Sequence, residues 1–197
     1  MRDLIIWVIT WYLIWGSFNY KVRWSLEQFR GKKYIGRGLF FLLSFVFVYF
    51  TFNKYTNSFA VQLVLATILA NVVGLYLGFT KSFYNKFKKD RYFLAFQSFN
   101  VLFQQTMVVV AISMLQSFFG QDYKDYCFGI MFFVVHLPIL FLPWAKLKGL
   151  YAIYSLFGGF IFSYLINNYQ LGLVITFTLH YAMYVWSIYY IKDEEKI

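Results

Sequence analysis

Two imidazoles, His136 and His180, lie in the middle of long apolar runs, and the chain has no other histidine. An ionisable group within lipid is costly, so it marks a bundle interior or a site. The runs around both residues are read as free of Asp and Glu. Proton-transfer chemistry is therefore suggested without the carboxylate that most hydrolysis needs. Gln97, Asn100 and Gln104 stand at i, i+3 and i+7, with Gln105 and Thr106 alongside, so three amides share one helical face. Thr176, His180, Tyr184 and Ser187 follow at steps of four, four and three, again one face. Pro138, two residues after His136, removes a backbone bond to the Val134 carbonyl and bends the helix beside the imidazole.

These side chains need elements to carry them. The chain is 61% hydrophobic and 13% charged, against about 25% charged in soluble domains. Its apolar stretches reach the length of a membrane-crossing helix. Barrel strands would alternate polar and apolar residues, and these runs do not, so the fold class is all-α. The expectation is one integral membrane domain over residues 1–197, a polytopic bundle of about seven spans near 4–20, 37–53, 58–80, 93–119, 125–143, 148–167 and 170–191. The stretch from Leu4 to Trp15 lacks a small-residue cleavage site and is read as a retained first span.

Loop charge orients this bundle. Of 18 Lys and Arg, only Arg2, Lys54 and Lys124 fall in loops on the N-terminal side. The positive-inside rule then sets the N-terminus outside and the C-terminus inside, with the basic loops cytoplasmic. The net charge of +10 reflects topology and attraction to anionic lipid, not nucleic acid. Residues 20–37 and 81–92 interleave aromatics with cations and read as segments lying at the headgroup level. Ala66, Ala70, Gly74 and Gly78, and then Ala152, Ser155, Gly159 and Ser163, form small-residue stripes for close helix packing. Trp7, Trp11 and Trp15 form a bulky ridge, read as lipid-facing or packing rather than as a ligand box.

Depth brings the polar residues together. Gln104, Gln105, His136 and His180 lie seven to eleven residues from the inner ends of their spans, a spread of roughly 6 Å, with Asn71 near the same level. Amides and imidazoles can also cross-link helices with no chemical role, each contributing about 1 kcal/mol. As a site, the cluster excludes several chemistries. Catalytic zinc takes three protein ligands and a water, and only two histidines are present, so neither a metal nor any other cofactor is expected. Cys127 and His136 are about half a turn out of phase and ~13 Å apart along one helix, too far for a nucleophile pair.

Phe132 to His136 matches the pattern FxxxH, and the residues from Ser155 through Gly172 to His180 form a paired C-terminal stretch. On these residues, the region 93–191 resembles the CAAX-protease and bacteriocin-processing (CPBP, or Abi) intramembrane protease family, whose motifs are EExxxR, FxxxH and HxxxN. The resemblance implies a compact helical bundle in a prokaryotic plasma membrane. It sets Gln104, Gln105, His136 and His180 at the vestigial or divergent catalytic positions. Asn71, Gln97, Asn100, Tyr184 and Thr176 would line the binding site.

The departures are chemical. Gln104 and Gln105 replace both glutamates, Val109 stands at the arginine, and Tyr184 at the asparagine. A glutamine amide is not a general base. The expected function is thus a proteolytically inactive scaffold that binds a hydrophobic peptide or membrane-protein partner, in an immunity or complex-subunit role. The alternatives are an active divergent intramembrane protease using His136 and His180, and a small-solute transport subunit.

Overall fold

The computed structural model describes residues 1–19, 33–81, 92–141 and 148–190. Most of the two basic interfacial segments expected at 20–37 and 81–92, and the side chain of Ser187, lie outside what is described. The described residues form helices joined by turns, with no strand among them. In chain order these are α1 (Arg2–Ser17), α2 (Lys33–Thr51), the short α3 (Asn53–Thr56) with a 3-10 turn Asn57–Phe59, and α4 (Ala60–Phe79). There follow α5 (Phe93–His136), a 3-10 turn Leu137–Phe141, α6 (Lys148–Asn168) and α7 (Gly172–Tyr190).

Four stretches are long and apolar enough to cross a membrane: Asn53–Phe79, Phe93–Gly120, Tyr123–Phe141 and Gly149–Asn168. Ile35–Thr51 and Gly172–Trp186 are apolar but shorter. α1 has 16 residues, about 24 Å of rise against a ~30 Å hydrocarbon core. Large apolar side chains such as Leu13, Leu43, Val61, Tyr76 and Phe157 point outward. A continuous apolar exterior of this kind suits lipid and not water.

α5 is one run of helical hydrogen bonds broken at Gly120, where φ is 72° and ψ −172°. A left-handed φ with extended ψ is a conformation that glycine tolerates and other residues resist. Here it reverses the chain. The Trp11 ring lies 6.0 Å from Phe103 and 5.4 Å from His136. A straight helix would separate residues 103 and 136 by about 50 Å, so the two halves of α5 fold back on each other. Gln104 stands 16 residues before Gly120 and His136 stands 16 after it. The reversal therefore sets them at one level.

The first half of α5 is the central helix, with 83% of its most apolar window buried. It contacts α1, α2, α4 and α7. α1 runs antiparallel to it: Trp7 Nε1 donates to the Met107 carbonyl at 2.9 Å, and Trp11 stacks on Phe103 one turn earlier. Trp7 and Trp11 are thus core, which selects the packing reading of the tryptophan ridge. At the N-terminal end of α1, Asp3 accepts from Lys54 Nζ at 2.6 Å and Tyr55 Oη at 3.0 Å. These donors, the Lys54 ammonium first, hold its carboxyl below the usual carboxylate range.

Both small-residue stripes are buried, as their spacing implied. Gly74 shows why. A Cβ there would lie 2.7 Å from the Ala95 backbone nitrogen and 2.8 Å from the Leu94 carbonyl carbon. α4 and α5 approach backbone to backbone, and Tyr181 of α7 closes the junction by donating to the Leu94 carbonyl at 2.9 Å. Overpacking such a contact costs about 1–3 kcal/mol. Gly74→Ala should therefore lower the thermal unfolding midpoint of the detergent-solubilised protein. Gly16→Ala, in α1 with no atom within 4 Å of the new Cβ, should leave the midpoint unchanged or slightly raised.

Candidate functional site

The polar stripe of α5 meets the polar stripe of α7. Gln105 is fully buried, and its Nε2 lies 3.2 Å from His180 Nδ1 and 3.4 Å from the Thr176 carbonyl. The Thr176 hydroxyl lies 3.4 Å from Gln105 Oε1 and donates to the Leu173 carbonyl at 3.0 Å. One turn away, Gln104 Nε2 donates to Tyr184 Oη at 2.8 Å and to Asn100 Oδ1 at 2.9 Å. Asn100 Nδ2 donates to the same tyrosine oxygen at 3.4 Å. His180 stacks on Tyr184 with centroids 5.5 Å apart. Gln104, Gln105, Asn100, Thr176, His180 and Tyr184 thus form one connected network between two helices.

His136 reaches this network through rings. Its Nδ1 donates to the Phe132 carbonyl at 2.6 Å, and its ring packs 4.3 Å from Phe132 and 5.4 Å from Trp11. Phe132 lies 6.4 Å from Phe162 of α6, which lies 5.7 Å from His180. The two imidazoles are therefore bridged by two phenyl rings. The α-helix ends at His136, and Leu137–Phe141 tightens to 3-10 geometry. The Val134 carbonyl that Pro138 cannot serve accepts instead from the Leu137 N–H. The proline thereby terminates the helix at the imidazole.

Two of the residues expected to line the site do not join it. Asn71 Nδ2 donates to Ser98 Oγ at 2.8 Å and to the Thr67 carbonyl at 2.9 Å. It ties α4 to the first half of α5, because its position on α4 meets α5 on the side carrying Ser98. Gln97 is 1% exposed, and neither its Oε1 nor its Nε2 has a partner among the described residues.

The expectation that the apolar runs hold no acid is corrected at one place. Asp125 lies within the apolar stretch Tyr123–Phe141. Its Oδ1 accepts from Ser163 Oγ and, at 2.8 Å, from Asn167 Nδ2, both on α6. These donors allow a carboxylate in the helix interface. Asp125 and His136 are eleven residues apart on one helix, about 16 Å of rise, so this acid cannot act on the imidazole. The signal for the cluster was the i, i+4 pair Ser163 and Asn167 on one face of α6. Trp11, Phe132 and Phe162 also shape the site, and a chain with 26 Phe and 6 Trp gives no means of choosing them.

Chemically, the network holds amides, a phenol, a hydroxyl and two imidazoles. No Asp, Glu or Cys joins the two histidines in a metal-sized group among the described residues. Hydrogen bonding and ring stacking are what this arrangement supplies. Comparison with protein-family models, curated proteins and solved structures finds no match to this chain. The class that fold and site define is an all-helical protein with apolar, membrane-length helices around a polar seam.

The two glutamines should behave oppositely when made apolar. A buried donor or acceptor with no partner costs about 1–3 kcal/mol. Gln97→Met removes two such atoms and should stabilise the detergent-solubilised protein by about 1 kcal/mol. Gln105→Met strands His180 and Thr176 and should destabilise it by about 2 kcal/mol. Equilibrium unfolding in mixed micelles reads both.

Proposed function

We propose that this chain is an integral membrane protein that binds a hydrophobic peptide or membrane-protein segment without cleaving it. The binding surface is the seam between α5 and α7, extended by His136. The single observation that carries this reading is the Gln105–His180 contact at 3.2 Å. The side chain beside the imidazole is an amide that donates, where hydrolysis would need a carboxylate that accepts a proton. The convergence of Gln104 and Gln105 with His180 also suits the arrangement that the resemblance to the CAAX-protease and bacteriocin-processing family implies. An immunity or complex-subunit role fits such a binder.

The decisive experiment uses the full chain reconstituted in bilayers with an uncharged apolar peptide of about 20 residues, long enough to span. Energy transfer between labelled peptide and protein should report association. His180→Phe and Gln104→Leu should each weaken it about tenfold, the loss of ~1.4 kcal/mol. The peptide mass should remain constant. Cleavage that His136→Phe abolishes would overturn this reading in favour of a divergent protease, and co-purification of a small polar solute would favour a transport subunit.

The same reading carries seven crossings in a prokaryotic plasma membrane, with the basic ends cytoplasmic. Fifteen of the 18 Lys and Arg on one side of that topology support it. In a Cys127→Ser background, single cysteines at Lys54 and Tyr123 should react with an impermeant maleimide added outside intact cells. Cysteines at Lys81 and Gly149 should react only after permeabilisation.

A further inference from the structure

The hydrogen-bond partners of the two imidazoles differ in kind. His136 Nδ1 lies 2.6 Å from the Phe132 carbonyl oxygen. A carbonyl only accepts, so Nδ1 carries the ring proton and Nε2 of the neutral ring is a bare lone pair. His180 Nδ1 faces Gln105 Nε2 at 3.2 Å. The Gln105 amide is oriented by the Thr176 carbonyl, which lies 3.4 Å from Nε2, while the Thr176 hydroxyl gives its proton to the Leu173 carbonyl at 3.0 Å. Turned over, the amide would set its oxygen against that carbonyl. Its N–H therefore points at His180 Nδ1, which must be the lone pair, and the ring proton sits on Nε2.

Neither Nε2 atom has a hydrogen-bond partner among the described residues, and both rings are half-buried. Phe132 and Phe162, both buried, pack between the two rings. Trp11, packed on His136, holds a buried Nε1 with no acceptor among the described residues.

We infer that the two histidines are held in opposite tautomers, so that the site takes a neutral apolar ligand presenting a hydrogen-bond donor to His136 and an acceptor to His180. A secondary amide carries both groups, and an ester carries only the acceptor. A metal ion is disfavoured by the same geometry. Ligation through His180 Nε2 would move the ring proton to Nδ1, against the Gln105 N–H. This inference rests on the binding reading for the ligand, but the tautomers stand on the hydrogen bonds alone.

The test is nitrogen NMR on the full chain with labelled histidine in lipid nanodiscs, where two histidines give two resolvable rings. One ring should be protonated at Nδ1 and the other at Nε2. Gln105→Glu offers a carboxylate to His180 and should convert that ring to the Nδ1–H form, leaving His136 unchanged. N-methyldecanamide should bind about tenfold more tightly than methyl decanoate, one hydrogen bond's worth, and His136→Phe should erase the difference. Identical tautomers in the unaltered protein, equal affinity for the two probes, or zinc shifting both rings together would overturn the inference. An apolar peptide that binds while the tautomers match sinks this inference alone. A peptide that fails to bind while the tautomers differ sinks the proposed function and leaves the tautomers intact.

Discussion

Everything in this bundle depends on the chain reversal at Gly120. A single residue at positive φ turns a 44-residue helical run into two antiparallel halves. The reversal costs little at glycine, which lacks the Cβ that would clash. Because Gln104 and His136 lie at equal distances on either side of it, their levels coincide without any further device. α1 then lies across both halves, with Trp7 bonded to the first at Met107 and Tyr12 to the second at Val135. Moving the reversal by one turn along the chain would lengthen one arm and shorten the other, offsetting the imidazole from the amides by about 11 Å.

The second constraint is polar satisfaction inside an apolar bundle. With no water to bond, each buried amide, hydroxyl and imidazole must find a partner on its own or a neighbouring helix. Hydroxyls such as Thr67 and Thr106 bond to carbonyls four residues earlier and ask nothing of other helices. The longer amides cannot all do this, so they join helices. Asn71 joins α4 to α5, Gln104 and Gln105 join α5 to α7, and Asn167 joins α6 to the second half of α5. Gln97 of the same stripe finds no partner among the described residues, although its spacing from Asn100 is as regular as that of its neighbours.

That contrast separates glue from site. A residue such as Asn71 completes its bonding within the interface it holds. Among the described residues the imidazoles bond through Nδ1 and not through Nε2, with the Phe132 and Phe162 rings packed between them. Each Nε2 can make one more hydrogen bond. The acid nearest in sequence to His136, Asp125, is engaged by Ser163 and Asn167 three turns away.

The sequence by itself determined the helical class and the polar faces. Apolar run length and the need to pair every backbone group within lipid leave no other solution, and 3.6-residue periodicity fixes which side chains share a face. It also marked Gln104, Gln105, Thr176, His180 and Tyr184 as a possible cluster, because matching depth and facing stripes are local properties. Tertiary structure alone decided that Asn71 and Gln97 stand apart, that Trp11, Phe132 and Phe162 line the imidazoles, and that Asp125 lies inside a helix interface. Each of these depends on how one helix is rotated against another. Rotation is set by close backbone contacts such as Gly74 on Ala95, and the periodicity of a single helix carries no record of its neighbour.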